Sequence, residues 1–261
     1  GEEVRLTGIN WFGFETSVML PHGLWQRNHD EMLGQVVELG FNSLRIPFSN
    51  DMVRSERIVD TVDPTLEGLT PMEAMDVIIE TAGDLGLKVV LDNHSRAADG
   101  YLNESLWYTD DVSEDTWIAD WVMLAERYRD NDTVVAFDLN NEPHGEATWG
   151  AGAEATDWDA AATRCAEAVH AVNPDVLIIV EGVQTVNNDW YWWGGNLRGV
   201  LTDPIVLSID RKLVYSAHEY GPEIYEQAWF SDASFPENLN ALWDYFFGFI
   251  MQEELGHVYM G

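Results

Sequence analysis

Thr133-Val-Val-Ala-Phe-Asp-Leu-Asn-Asn-Glu-Pro143 is the stretch whose reading decides the fold. Its β-branched and aromatic run predicts a buried strand, and the strand delivers Asn141 and Glu142 to its C-terminal end, where barrels present their chemistry. Four more segments repeat the plan of an apolar strand ending in polar residues: Ser43-Leu-Arg-Ile-Pro-Phe48, Val89-Val-Leu-Asp-Asn-His94, Leu177-Ile-Ile-Val-Glu181 and Leu213-Val-Tyr-Ser-Ala-His-Glu-Tyr220. Together they predict Arg45, His94, Asn141, Glu142, His218 and Tyr220 near one rim. Arg5–Asn10 and His257-Val-Tyr-Met260 raise the strand count to seven.

Helical patterns fill the intervals. Met32, Val36 and Leu39 share one face. Thr70-Pro-Met-Glu73 reads as a capping box with proline at the first helical position, followed by the stripe Met75, Ile78, Ile79, Ala82 and Leu85 and a stop at Gly86. Trp117, Trp121, Leu124 and Tyr128 follow Ser113. Ala161, Cys165, Ala168 and Val172 form a fourth stripe, and a long last helix is predicted to carry Leu239, Leu242, Trp243, Phe246 and Ile250. Repeating βα order predicts a parallel sheet with right-handed crossovers in one domain over residues 1–261. Between Gly182 and Asp210 only a short helix near Leu197–Leu201 is expected, in sequence rich in Trp, Asn and Gly; interior loops of such length tend to be functional.

The composition excludes several classes. An apolar share of 46% with 12% aromatic residues argues against disorder. No run approaches the roughly 20 apolar residues that cross a membrane, so no membrane partner is expected. A net charge of -33, with Lys88 and Lys212 as the lysines, makes nucleic acid a poor partner, because phosphate binding needs clustered cations. The acids are spread along the chain, which suggests either simple solubility or adaptation to molar salt, where the Debye length shrinks to about 3 Å and self-repulsion fades. Cys165 stands alone on an apolar stripe and reads as a buried structural thiol.

Cleavage of a glycosidic bond commonly uses two carboxyl groups. Glu142 is the candidate acid; the bland reading is a carboxylate that caps the turn after the strand. Asn141 could bond a sugar 2-hydroxyl. Arg45 inside an apolar strand should meet a carboxylate. His94, His218 and Tyr220 could tune such acids or be ordinary core groups. A metal site built from Asp92, His94, His218 and Glu219 is disfavoured, since alternation sends His218 and Tyr220 to one side and Glu219 to the other. Trp25, Trp107, Trp149, Trp190, Trp192, Trp193 and Trp229 lie between elements, as sugar platforms or as loop packing.

The segments Gly8-Ile-Asn-Trp-Phe-Gly-Phe-Glu15, His22-Gly-Leu-Trp25, Leu44-Arg-Ile-Pro47, Asn141-Glu-Pro143, Tyr191-Trp-Trp-Gly-Gly-Asn196 and Tyr215-Ser-Ala-His-Glu-Tyr220 resemble glycoside hydrolase family 5, in particular its bacterial secreted endo-β-1,4-glucanases. The resemblance implies an α/β fold of the (β/α)8 TIM-barrel type, extracellular and monomeric, that hydrolyses β-glucan with retention and needs no cofactor or metal. It makes Glu142 the acid/base, with Arg45, His94, Asn141, His218 and Tyr220 beside it and Trp25, Trp193 and Gln227 binding sugar. A β-mannanase, another β-glycanase or a catalytically dead carbohydrate-binding barrel are the alternatives. Asn93 and Ser95 depart from the bulky residues that often flank the histidine. The resemblance also puts the nucleophilic glutamate immediately after Gly261, so the last βα unit is expected to be missing. The 261-residue chain alone is then expected to turn over at least about 10⁴-fold more slowly than its parent.

Overall fold

The computed structural model describes residues 4–261. Its chain divides into two compact units: one contains the residues up to Asn141 together with Ala168–Leu177, the other Glu142–Glu167 and Ile178–Gly261.

The first unit contains β1 (Gly8–Asn10), α1 (His29–Glu38), β2 (Ser43–Ser49), the single turn α2 (Asn50–Val53), α3 (Pro71–Asp84), β3 (Lys88–Ser95), α4 (Glu114–Arg127) and β4 (Val134–Asp138). The strands pair in chain order and in parallel, β1 with β2, β2 with β3 and β3 with β4. Every residue of β2 is buried, as expected for a strand covered on both faces.

Local signals account for the helices. Thr70 accepts the Glu73 amide while Glu73 Oε2 accepts the Thr70 amide at 2.8 Å, closing the box ahead of Pro71. Gly86, at φ +80°, makes the left-handed turn that ends the segment. Met75, Ile78, Ile79 and Ala82 are buried, whereas Leu85 at the C-cap stays exposed. In α4 the indoles of Trp117 and Trp121 both donate to the Leu139 carbonyl, at 3.2 and 3.0 Å, fixing the backbone two residues before Asn141. The expected stripe of α1 is corrected: the helix ends at Glu38, so Leu39 is 65% exposed and Leu33 is its apolar anchor.

Two elements, α5 (Trp158–Val172) and β5 (Leu177–Glu181), run from one unit into the other along the chain. Cys165 is buried on α5, in keeping with its place on an apolar stripe. The second unit adds the hairpin β6 (Thr185–Val186) and β7 (Asp189–Trp190), then β8 (Leu213–Ala217), α6 (Asn238–Trp243), α7 (Phe249–Gln252) and β9 (Val258–Met260). Strand β8 pairs in parallel with β5 on one side and β9 on the other. The expected last helix is interrupted by a π-helical turn at Asp244–Gly248 between α6 and α7. Such a turn rotates the stripe: Phe246 and Ile250 are buried as predicted and Phe247 and Phe249 join them, while Leu239, Leu242 and Trp243 stay half-buried.

Among the described residues, four strands pair in parallel in the first unit and three in the second, with helices between most of them, the plan of a (β/α)8 barrel. The short turn expected near Leu197 is a 3₁₀ helix at Arg198–Leu201, and β6–β7 were not foreseen because two-residue strands carry no periodicity. No helix among the described residues is long and apolar enough to cross a membrane.

Candidate active site

In the first unit, Arg45, inside β2, is the centre of a buried polar cluster. Its Nη1 lies 2.9 Å from Asp92 Oδ2, and its Nε and Nη2 donate to Asp138 Oδ2 at 3.0 and 2.9 Å. The carboxylate expected for this guanidinium is thus a pair, supplied by β3 and β4. Nη2 also donates to Asn141 Oδ1 at 3.1 Å, which fixes which end of that amide is oxygen. His94 Nδ1 bonds Asp92 Oδ2 at 2.6 Å, so one aspartate serves both the imidazole and the guanidinium. Glu15 Oε2 accepts the Gly13 amide at 2.6 Å; burial pushes its carboxyl above the ordinary range against that bond and the nearby His94. Trp25 is 43% exposed, edge-on to His22 at 4.2 Å, and His22 stacks on Phe12 at 4.5 Å.

The second unit holds Glu142 in a left-handed backbone, φ +48°, which a side chain adopts only when its surroundings impose it. Its amide donates to Glu181 Oε2 at 2.7 Å, and its carbonyl accepts from His144 Nδ1 at 2.7 Å. Its Oε1 accepts from the Tyr220 hydroxyl and from His218 Nδ1 at 2.8 Å. His218 Nε2 in turn lies 3.1 Å from Glu181 Oε1, an ion-pair contact outside hydrogen-bond angles. Burial alone would push the His218 imidazole down, yet the Glu181 carboxylate and the bond to Glu142 outweigh it and push it up to about 10. At neutral pH it is therefore an imidazolium held between Glu181 and Glu142.

Around this core the predicted alternation holds. His218 and Tyr220 face Glu142, while Glu219 accepts from the Tyr191 hydroxyl and from Trp192 Nε1. Burial pushes the Glu219 carboxyl up against those bonds. Trp193 is half-buried and lies flat on His144, with ring centroids 3.7 Å apart and planes 5° from parallel. Gln227 is buried just ahead of the 3₁₀ turn Ala228–Phe230, and its Nε2 has no protein partner.

Each unit thus assembles its own set: Arg45, His94 and Asn141 in the first, Glu142, His218 and Tyr220 in the second. Trp107, Trp149 and Trp192 are buried and bonded, to Glu114, the Asp203 carbonyl and Glu219, so loop packing is the correct reading for those three. Trp25 and Trp190 remain exposed, at 43% and 41%. Sequence reasoning did not foresee the parts played by Asp138, Glu181 and His144. Asp138 and Glu181 are acids at the ends of apolar strands, a signal that was present; His144 carried none.

The chain matches the cellulase family (glycosyl hydrolase family 5) over residues 1–260. It is 46% identical over 268 residues to an endoglucanase of Paenibacillus polymyxa, covering 100% of this chain and 67% of that protein. With the major extracellular endoglucanase of Xanthomonas campestris pv. campestris it shares 41% identity over 95% of this chain and 52% of the relative. A solved complex of an endocellulase from Pyrococcus horikoshii with cellotetraose superposes with a TM-score of 0.92 at 40% identity, covering 99% of this chain and 74% of that one. The chain thus spans about half to two thirds of the length of these two curated relatives. A match over essentially every residue, in sequence and in fold, makes the chain a member of glycoside hydrolase family 5.

Proposed function

We propose that residues 1–261 belong to the catalytic barrel of an endo-β-1,4-glucanase that hydrolyses cellulose-type β-glucans with retention of configuration. The observation that carries this reading is the state of Glu142: a carboxyl held by its own backbone turn and by two donors, His218 and Tyr220, in a member of a family of cellulases. A carboxyl so fixed can be aimed at a glycosidic oxygen.

In the proposed reaction Glu142 gives its proton to the leaving oxygen while a second carboxylate attacks the anomeric carbon, forming a glycosyl-enzyme. Glu142 then takes a proton from water, which displaces the carboxylate and restores the configuration. Arg45 and His94 hold Asp92 and Asp138 in place, and Asn141, oriented by Arg45, serves the 2-hydroxyl. Trp25 and Trp193 stack against sugar faces, and Gln227 offers its amide. We further propose that the enzyme acts outside the cell, as does the major extracellular endoglucanase of Xanthomonas, and that its acidic surface suits it to high salt.

The test is product analysis by NMR on soluble cellulose and mannan with the full protein. Cleavage of the glucan with the β anomer formed first is expected; an initial α anomer overturns retention, and faster cleavage of mannan overturns the substrate class. Glu142→Gln should cost most on substrates with poor leaving groups, within the roughly 10²–10⁴-fold that a positioned acid contributes. Equal losses on activated aryl glycosides would remove Glu142 from that role.

A further inference from the structure

We propose that Glu181 is a positioning residue that holds both ends of Glu142, its backbone amide directly and its carboxyl through His218. The inference rests on the acid/base reading of Glu142 and adds to it the group that fixes where the acid points.

Three features of the second unit carry it. Glu142 sits at φ +48°, a conformation that costs energy unless its neighbours over-determine it. Glu181 Oε2 receives the Glu142 amide at 2.7 Å, a charge-assisted bond that secures the turn, while Glu181 Oε1 lies 3.1 Å from the imidazole nitrogen opposite the one that meets Glu142. A single fully buried carboxylate therefore closes a ring: Glu142 amide, Glu181, His218, Glu142 carboxyl. The second feature is the anchoring of Glu181 itself. It ends β5, and its carbonyl accepts Trp158 Nε1 at 2.9 Å, so the base of the clamp is tied to the first turn of α5.

The third feature is Gly194, at φ +68°. A Cβ built there would collide with Glu181 Oε2 and come within 3.2 Å of Glu142 Cα. The close approach of the two glutamates therefore requires a glycine between them, which gives the first glycine of Trp193-Gly-Gly-Asn196 a physical reason. The groups facing His218 are Glu142, Glu181 and Tyr220, and Glu181 is the one whose charge does most to keep the imidazole protonated in its buried site.

Glu181→Gln keeps an acceptor for the Glu142 amide but removes the charge; Glu181→Leu removes both. In the full protein, Glu181→Gln should lower kcat on β-1,4-glucan about 10- to 100-fold with KM changed less than about threefold, and Glu181→Leu should lower it further. Activated aryl glycosides, which need little protonation, should lose less, and the His218 imidazole, followed by NMR, should titrate at lower pH. Losses shared equally by both substrate types, with the His218 titration unmoved, would reduce Glu181 to a core residue and overturn the proposal. If neither variant folds, the unaltered protein decides: an NMR titration showing neutral His218 at pH 8, or a Glu142 amide proton without the downfield shift of a charge-assisted bond, overturns the clamp. Those two readings need no turnover. An unaltered protein with the clamp's signatures but no hydrolysis of β-glucan would sink the proposed function and leave the clamp standing.

Discussion

Single residues at the strand ends carry most of the chemistry, and their environments set signs that can be checked. The folded His218 imidazole has its proton affinity raised from the ordinary 6.5 to about 10. A group raised on folding contributes stability that is complete below its unfolded value and lost as pH rises through the folded one. The cost of His218→Asn in urea unfolding should therefore be largest below about pH 6.5 and shrink as pH approaches 10; a cost that grows with pH would mean the imidazole is buried neutral. Arg45 is a different case, since it neutralises two fully buried aspartates. Arg45→Met leaves both without their cation and should cost about 3–5 kcal/mol, read as a lower denaturation midpoint. The sequence made Arg45 legible as a charge needing a partner, because an arginine in an apolar strand has few alternatives. It did not say which acid answers it, since that depends on register across β2, β3 and β4. Glu142 was legible from its motif. Glu181 was visible as a strand-end acid, but its bond to the Glu142 amide exists only because the backbone there turns left-handed.

Elements were legible where a local signal and a stripe agreed. The α3 box, its proline and Gly86 all stand where the sequence puts them, and replacing Thr70 by Ala should cost about 1 kcal/mol, because the Glu73 amide loses its acceptor. A thermal melt unchanged by that substitution would show the first turn held by packing alone. Stripes without end signals were read less well: α1 was extended past its true end, and the last helix was read through a π turn that the periodicity of a regular helix does not reveal. The start of α5 offers a further check in its acids. Burial raises the Asp159 carboxyl to about 6 against the bond from the Gly150 amide, and the neighbouring Asp157 adds to the rise. Its contribution is therefore present below about pH 4 and lost as pH climbs through 6. Asp159→Asn, which can still accept the Gly150 amide, should flatten the fall in melting temperature between pH 4 and 7; a variant with the same slope as the parent would assign that fall to other groups.

Across the whole molecule the charge imbalance dominates. Of the few cations, Arg45 and Arg96 are buried beside acids, and Arg54 and Arg127 are paired with Asp120 and Asp76, so they do little to offset the surface acids. With 46 acids against 13 bases, the folded state should gain melting temperature as sodium chloride rises from dilute buffer to molar, since screening acts most on the compact form. A midpoint flat or falling with chloride would end the high-salt reading. The same surface has a practical consequence for the choice of assay polymer. Cellulose and hydroxyethylcellulose are uncharged, but carboxymethylcellulose is a polyanion and will be held off by a protein of its own sign. In dilute buffer the carboxymethylated polymer should therefore report a weak enzyme while the uncharged one reports a stronger one, and the gap should close as salt is added. An activity measured on the anionic polymer alone would then describe repulsion between two macroions as much as it describes the cleavage of a bond.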